Sequence, residues 1–232
     1  MRLVLFDIDG TLLLTGGIGQ SSAEASLKRV FGTAGRVDQF YPTGRTIEAI
    51  FEDTLLDAGF SREEYQHKRE LLYADFFEEF TSRLDQNEHQ IGSLPGAKPL
   101  VAALSQQEDV ILGLTTGNHQ RTAGFKLRTA GFDLEMFKVG AYGNETTHRP
   151  DLVLRAHARA EALAGEGIAA SHTFVIGDTA RDVQSAQAFG AVSVAVSTGM
   201  ATSSDLAAAL PDYMLPDLQN IEQVLAVILA RP

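Results

Sequence analysis

The sequence predicts an α/β fold: a doubly wound, mostly parallel sheet with an inserted α-helical domain. Four short, nearly continuous apolar runs are typical of strands buried on both faces of a parallel sheet. Between them lie segments whose apolar residues recur at helical spacing, and alternating strands and helices indicate parallel crossover units. Residues 15–94, after the first run, show helical patterns. A crossover usually needs only about a dozen residues, so this segment is expected to be an insert.

The predicted elements follow one another along the chain. Buried strands are expected at residues 3–6, 110–114, 173–176 and 192–196, with a short edge strand at 213–215. Helices are expected at 99–104, 121–130, 151–163, 183–189 and 221–229, and in 99–104 and 151–163 the apolar residues recur at helical spacing.

The inserted segment has an amphipathic pattern of its own. Residues 62–84 place large apolar side chains on one face of a helix and surround them with charged residues. We expect residues 15–94 to form a helical cap, and residues 1–14 together with 95–232 to form the α/β core. The expected hinges between them are the glycine-rich stretches 16–19 and 92–96.

The composition excludes several classes of protein. The 232 residues include no Cys, which excludes a disulfide scaffold, a thiolate metal site and a cysteine nucleophile. The formal net charge of −11 repels both nucleic acid and anionic lipid. The apolar stretches are too short for a signal-peptide core or a membrane span. We therefore expect a cytoplasmic monomer or homodimer whose partner is a small molecule, not nucleic acid or a membrane.

Polar and acidic residues follow three of the predicted strands, at the edge where open parallel sheets bind ligands. Two aspartates, two residues apart, end the first strand, so both carboxylates point to one side of an extended chain. Thr, Gly and Asn follow the second strand, and two further aspartates follow the third. These residues are Asp7 and Asp9, then Thr116, Gly117 and Asn118, then Asp178 and Asp182.

The aspartates at this edge indicate a cation. Carboxylates held close together repel one another, so either one is protonated or a cation lies between them. Acids without a His or Cys cluster favour a hard, oxygen-preferring ion, and Mg²⁺ is the expected cofactor. Each aspartate taken alone could instead be a turn former or a helix N-cap. Their coincidence on neighbouring strands favours a site.

These segments resemble the motifs of the haloacid dehalogenase superfamily of phosphohydrolases, and the resemblance runs over essentially the whole chain. Residues 3–12 (LVLFDIDGTL) are similar to the first motif, 111–118 (ILGLTTGN) to the second, and 175–183 (VIGDTARDV) to the fourth. A helical cap between the first two motifs, with 43–46 (TGRT) and 94–96 (LPG), resembles the phosphoglycolate phosphatase and β-phosphoglucomutase branch. The resemblance implies a Rossmann-like core with a helical cap.

The resemblance also implies a division of labour. Asp7 would attack phosphorus and form an aspartyl-phosphate. Asp9 would protonate the leaving alkoxide and then deprotonate the attacking water. The implied ligands and orienting groups of Mg²⁺ are Asp7, Asp9 through its backbone carbonyl, Asp178 and Asp182. The implied phosphate-binding residues after the second strand are Thr116, Gly117 and Asn118.

The third motif departs from the family pattern, which generally places a Lys before the helix that leads to the fourth motif. Arg149 is the best candidate for this position, and it can bind phosphate bidentately although its shape and hydration differ from those of Lys. Lys138 is an alternative, and Arg149 could also be a surface residue at a helix start. In the cap, Arg45 could contact an anionic leaving group or could be a surface residue at a helix terminus.

Three functions remain open. The favoured one is a Mg²⁺-dependent phosphatase that hydrolyses a small-molecule phosphate monoester. Asp9 supports it over dehalogenation, because family dehalogenases lack this carboxylate and halide needs no proton on leaving. A phosphosugar mutase would share every core residue, but no mutase-like cap signature is present near residues 44–46 or just after Leu12. A non-enzymatic binding protein is the third, and only Arg149 in place of Lys supports it.

Overall fold

The structure, a computed structural model, describes residues 1–41, 44–86 and 90–229. A six-stranded sheet lies at its centre, and its strands are β1 (Arg2–Phe6), β4 (Val110–Thr116), β5 (Val139–Tyr142), β6 (Thr173–Gly177), β7 (Val192–Val196) and β8 (Tyr213–Leu215). Their order across the sheet is β5–β4–β1–β6–β7–β8, and every pairing is parallel. The predicted parallel sheet is therefore confirmed.

Strand β1 lies in the middle of this sheet. Its Leu5 pairs with Gly113 on one side and with Val175 on the other. The side chains from Leu3 to Phe6 are fully buried, which explains why the first apolar run shows no alternation. The residues that follow Phe6 therefore emerge at the centre of the carboxyl edge.

Helices cover both faces of the sheet. Along β1, Val4 and Phe6 face one hydrophobic cluster, whereas Leu3 and Leu5 face another on the opposite side. This arrangement is the doubly wound fold that the alternation of strands and helices predicts. The first face packs on α5 (Ala97–Ser105), α6 (Gln120–Thr129) and α10 (Ile221–Leu229), the second on α7 (Pro150–Ala164) and α8 (Ala180–Phe189), and α9 (Ser203–Ala208) lies beside α8.

Four further helices share a hydrophobic cluster of their own. Its centre is aromatic: the ring of Phe51 lies edge-on to those of Tyr73 and Phe76, at 5.5 and 5.6 Å between centroids. The longest helix begins with a capping box formed by Ser61 and Glu64. A separate core is what the helical periodicity of this segment predicts. The helices are α1 (Ile18–Phe31), α2 (Val37–Phe40), α3 (Ile47–Asp57) and α4 (Arg62–Asp85).

A short ladder joins the two segments of chain that connect these helices to the sheet. Strand β2 (Leu13–Leu14) pairs antiparallel with β3 (Gly92–Ser93). The sequence predicts no buried strand at 15–94, and β3 is not buried; its two residues are too few to show a period-2 pattern. At the predicted hinge 16–19, the last two residues already belong to α1.

Strand β5 was also missed by the sequence analysis. It has four residues, includes Gly140, and lies at the edge of the sheet beside β4. Such a short edge strand gives a weak apolar signal. Within residues 1–41, 44–86 and 90–229, no helix combines the length and the apolar character that a membrane crossing requires.

Candidate active site

The carboxyl ends of β1, β4 and β6 bring the predicted site residues together. Asp7 directly follows β1, and its backbone N–H donates to the Ile176 carbonyl of β6 at 2.9 Å. Asp9 lies two residues further on, with the fully buried Ile8 anchoring the turn between them. Thr116 ends β4, and Asp178 directly follows β6.

Three carboxylates form a buried cluster at this edge. Asp7, Asp178 and Asp182 each place one carboxylate oxygen within 4.8 Å of the other two. They are 6%, 4% and 3% exposed. Burial raises the pKa of Asp7 and of Asp178 well above the usual range, and the neighbouring carboxylates act in the same direction. The cluster is therefore a place where a cation is strongly favoured.

Arg149 supplies one positive charge to the cluster. It precedes Pro150 at the start of α7, and its guanidinium lies 2.6 Å from Asp182 Oδ1 and 3.2 Å from Asp7 Oδ1. The same guanidinium donates to the Gly44 carbonyl at 2.8 Å. Arg149 is 7% exposed, so it is not the surface residue that the alternative interpretation describes. Lys138, the other candidate, is exposed.

Two glycines make room for the Asp178 carboxylate. A Cβ at Gly199 would lie 1.7 Å from Asp178 Oδ2, and one at Gly10 would lie 2.3 Å from the same atom. Gly10 also has a φ of +79°, a conformation that side chains disfavour. The Thr11 hydroxyl donates to Asp178 Oδ1 at 3.1 Å. The carboxylate is thus held in a fitted cradle.

Asp182 has a structural task as well as a place in the cluster. Its Oδ2 accepts hydrogen bonds from the Thr179 backbone N–H at 3.0 Å and hydroxyl at 2.6 Å, which forms the capping box of α8. Its Oδ1 faces Arg149. Both carboxylate oxygens therefore have hydrogen-bond partners, Thr179 and Arg149. Asp182 holds these two residues in place independently of any contact with a metal.

Asp9 forms an ion pair with a different cation, the ammonium group of Lys126. The Lys126 ammonium lies 2.9 and 2.7 Å from its two carboxylate oxygens, and the Asn118 amide donates to Oδ2 at 2.6 Å. The Thr15 hydroxyl donates to Oδ1 at 3.2 Å. Burial alone would raise the pKa of Asp9, but the Lys126 charge and these hydrogen bonds outweigh it and lower the pKa below its usual value.

Lys126 is a site residue that the sequence analysis missed. It is 1% exposed and lies on α6 among the buried residues Ala123, Leu127 and Ala130. These positions follow the i, i+3, i+4, i+7 spacing of the apolar face of a helix. A lysine that is buried on such a face needs an anionic partner. A charged residue at an apolar position of the helical pattern was therefore the sequence signal that could have identified Lys126.

The predicted phosphate-binding residues lie beside Asp9. Thr116 is fully buried, and its hydroxyl oxygen accepts hydrogen bonds from the Asn118 backbone N–H at 3.2 Å and side-chain amide at 2.8 Å. The Gly117 carbonyl accepts from the Ile47 N–H at 2.8 Å. A Cβ at Gly117 would lie 2.1 Å from the Arg45 carbonyl, so only glycine permits this approach. Their role in binding phosphate stays a prediction.

The segment 44–47 contacts Arg149 and Gly117 beside the cluster, and we call it the cap loop. Arg45 forms an ion pair with Asp53 and lies over the Phe40 ring. It also lines a cavity of about 220 Å³ together with Arg149 and Arg181. Burial is the main cause that lowers the pKa of Arg45, and repulsion from the nearby Arg181 lowers it further. This cavity is suited to an anion. Thr43, the first residue of the predicted cap motif, lies outside the described residues.

A further buried carboxylate, Glu48, lies on α3, apart from the cluster. It accepts hydrogen bonds from the hydroxyls of Tyr65 and Tyr73, at 2.9 and 2.8 Å, and from the Arg69 guanidinium. Arg69 also donates to the Asn144 carbonyl after β5 at 3.2 Å. The network therefore links α3 and α4 to the segment that follows β5.

The donor set of the cluster fits Mg²⁺. Three carboxylates converge without a nitrogen or sulfur ligand among them, and oxygen ligands are those that Mg²⁺ prefers. Because Gly10 and Gly199 have no side chains, nothing from these two positions clashes with the Asp178 carboxylate. The Asp9 carboxylate is held by Lys126, which leaves its backbone carbonyl as the ligand that the family resemblance implies.

Comparison with characterised sequences points to one family. The model of the family described as haloacid dehalogenase-like hydrolase matches residues 4–196. A curated phosphoglycolate phosphatase from Synechococcus elongatus is 26% identical over 135 residues. That match covers 58% of this chain and spans 60% of the relative's length.

Solved structures share the fold. A hydrolase from Pseudomonas syringae has a TM-score of 0.74 at 19% identity, over 98% of this chain and 99% of that one. A protein from Haemophilus somnus assigned as a phosphoglycolate phosphatase has a TM-score of 0.69 at 19% identity, over 97% of each chain. A protein from Thermotoga maritima assigned as a β-phosphoglucomutase has a TM-score of 0.63 at 18% identity, over 99% of this chain and 100% of that one. The chain belongs to the haloacid dehalogenase-like hydrolases, as its motifs predict.

Proposed function

We propose that the chain is a Mg²⁺-dependent phosphatase that hydrolyses a small-molecule phosphate monoester through an aspartyl-phosphate on Asp7. The observation that carries the proposal is the buried cluster of Asp7, Asp178 and Asp182, with Arg149 at 3.2 Å from Asp7. Phosphoryl transfer depends mainly on positioning and charge neutralisation, which such a cluster supplies. The similarity to a phosphoglycolate phosphatase supports the same reaction class.

Asp7 is the nucleophile of the proposed reaction. Its carboxylate attacks phosphorus, the bond from phosphorus to the alcohol oxygen breaks, and the phosphoryl group is carried on Asp7. Arg149 favours the ionised form of Asp7 and can bind phosphoryl oxygens through its guanidinium. Mg²⁺ held by Asp7, Asp178 and the Asp9 carbonyl would supply neutralising charge to the phosphoryl oxygens.

Asp9 handles the proton in both halves of the reaction. In its protonated form Asp9 gives its proton to the leaving alcohol oxygen, and as the carboxylate, the form that Lys126 favours, it then takes a proton from the water that attacks the aspartyl-phosphate. Its side chain is 38% exposed, whereas that of Asp7 is 8% exposed. This difference suits a group that must meet both the alcohol and water.

The cap controls access in this proposal. The cap loop contacts Gly117 and Arg149, and Asp7 is only 6% exposed, so in this proposal a substrate displaces the loop before it reaches Asp7. We therefore propose that residues 15–94 move as a cap on a core of residues 1–14 and 95–232. Arg45 would then contact an anionic part of the substrate, since it shares a cavity with Arg149.

The test is a panel of phosphate monoesters assayed for release of inorganic phosphate with and without Mg²⁺. We expect Mg²⁺-dependent turnover that Asp7→Asn abolishes. Asp85→Asn, at the exposed end of α4, is the matched control and should behave like the wild type. Absence of turnover across the panel, or full activity of Asp7→Asn, contradicts the proposal.

A phosphosugar mutase is the second candidate. Asp7 is 6% exposed beneath the cap loop, and exclusion of water is what a mutase needs. The structural similarity to a protein assigned as a β-phosphoglucomutase also favours it. Isomerisation of a sugar phosphate without release of inorganic phosphate would establish this function in place of hydrolysis.

A further inference from the structure

The ammonium of Lys126 has a complete set of partners around Asp9. It donates to Asp9 Oδ1 at 2.9 Å, to Asp9 Oδ2 at 2.7 Å and to Asn118 Oδ1 at 2.6 Å. These bonds use all of the protons of a lysine ammonium. Because Lys126 is 1% exposed, water does not compete for them.

Asn118 makes the arrangement rigid. Its amide oxygen faces Lys126, and its amide nitrogen donates to Asp9 Oδ2 at 2.6 Å and to Thr116 Oγ1 at 2.8 Å. The orientation of the amide therefore depends on Lys126, and the orientation of the Asp9 carboxyl depends on both. Loss of Lys126 would release two groups at once.

The two buried cations of the site serve different carboxylates. Arg149 faces Asp7 and Asp182, whereas Lys126 faces Asp9. Lys126 comes from the apolar face of α6, where an uncharged side chain of similar length would avoid the desolvation of an ammonium. Its contacts indicate a task at Asp9.

We propose that Lys126 is a positioning residue that aims the Asp9 carboxyl at the bridging oxygen of the phosphate ester. This inference rests on the proposed function, in which Asp9 gives its proton to that oxygen as the bond to phosphorus breaks. A misaimed Asp9 slows the reactions that need the proton. Alkyl phosphates need it because an alkoxide is strongly basic, whereas a nitrophenolate leaves readily without it.

The test compares an alkyl phosphate with a nitrophenyl phosphate. The ratio kcat/KM reports steps up to release of the alcohol, so hydrolysis of the aspartyl-phosphate does not mask the effect. For Lys126→Met, we expect kcat/KM to fall about 100-fold or more with the alkyl ester and less than about 10-fold with the nitrophenyl ester. Equal losses with both esters overturn the inference.

Leu127→Ala is the matched control for damage to α6. Leu127 is the next residue, is fully buried and belongs to the core cluster beneath the sheet. Its truncation should lower the melting temperature while leaving the ratio of the two kcat/KM values unchanged. A change of that ratio as large as in Lys126→Met overturns the inference, since general loosening of α6 would then explain it.

A double-mutant cycle tests whether Lys126 acts through Asp9. In an Asp9→Asn background, Lys126→Met should lower kcat/KM for the alkyl ester by less than about 3-fold, because the group that it aims is already gone. A loss as large as in the wild-type background overturns the inference.

Chemical rescue provides a second variant should Lys126→Met fail to fold. The chain has no Cys, so Lys126→Cys carries a unique thiol that can be alkylated in the unfolded protein before refolding. Reaction with 2-bromoethylamine restores an ammonium at lysine length, and iodoacetamide gives a neutral counterpart. We expect the ammonium adduct to exceed the neutral adduct about 10-fold or more in alkyl ester turnover. Equal turnover overturns the inference.

The two proposals fail in different ways. If the wild type hydrolyses neither ester, the proposed function is overturned and this inference with it. If the wild type hydrolyses both esters and Lys126→Met keeps the wild-type ratio, the phosphatase proposal stands and the role of Lys126 is overturned.

Discussion

Replacing Arg149 by Met tests how strongly one guanidinium stabilises the acid cluster. Arg149 lies 2.6 Å from Asp182 and 3.2 Å from Asp7, and all of these side chains are 8% exposed or less. At an effective dielectric constant of about 20, each pair gains roughly 5–6 kcal/mol of Coulomb energy. Desolvation offsets part of that gain, and removing one partner of a buried pair costs about 3–5 kcal/mol. We expect the metal-free variant to lose about that much unfolding free energy near neutral pH.

The loss should grow as the pH rises. Burial raises the pKa of Asp7, and Arg149 opposes this rise, so the variant should have an even higher Asp7 pKa. A carboxyl group whose pKa is higher in the folded state binds more protons there than in the unfolded chain. Stability then falls as the pH rises from the unfolded value, about 3.9, through the folded value. The deficit of the variant is therefore smallest at acidic pH.

The assay is urea unfolding in the presence of a chelator, at about pH 5 and about pH 7.5. Arg149→Lys keeps the charge and should retain more of the stability than Arg149→Met. Mg²⁺ should restore stability to the Met variant, because it replaces the missing charge. A Met variant as stable as the wild type, or a deficit that does not change with pH, would refute the electrostatic account of this cluster.

Three other predictions follow from the structure. Glu48→Ala removes the buried carboxylate that accepts from two tyrosine hydroxyls and from the Arg69 guanidinium, and it should lower the unfolding free energy by about 3–5 kcal/mol, seen as a lower melting temperature; an unchanged melting temperature speaks against it. Burial lowers the pKa of His119 to about 4, so its contribution to stability is full above about pH 6.5 and is lost as the pH falls toward 4. His119→Gln should remove about 1–2 kcal/mol of that dependence in urea unfolding, after allowance for solvent screening, and an unaltered dependence would count against this assignment. In Gly199→Ala the new methyl group would clash with the Asp178 carboxylate, so Mg²⁺-dependent turnover should fall at least about 10-fold. In the control Gly167→Ala the nearest atom to the new methyl group lies at 3.7 Å, so turnover should not change; equal turnover in the two variants contradicts the proposed fit around Asp178.

The sequence predicted the central strands well because they are buried on both faces. A run such as Leu3–Phe6 cannot alternate when each side chain meets a hydrophobic cluster, and in β6 Phe174 and Ile176 face one cluster while Val175 faces the other. Strand β5 escaped prediction because it owes its place to pairing with β4. The pair of β2 and β3 depends on contacts between residues about eighty positions apart, which no local pattern reveals.

The site was predictable to the extent that its residues belong to contiguous motifs. Asp7 and Asp178 each directly follow a predicted strand and Asp9 lies two residues after Asp7, and the parallel sheet brings such positions together. Arg149 was identified because it departs from the family pattern, but its pairing with Asp182 was not predicted. Lys126 was missed because it belongs to no motif: its partner lies 117 residues away in the chain, and packing of α6 on the sheet creates the contact.

The central claim is that the phosphoryl group passes through Asp7. The most direct measurement quenches the wild type during turnover, reduces the denatured protein with borohydride and determines the mass of the N-terminal peptide. Borohydride converts an aspartyl-phosphate to homoserine, so the account predicts homoserine in place of Asp7 only when substrate and Mg²⁺ are both present. Release of inorganic phosphate during turnover with Asp7 unmodified in every sample would contradict the account.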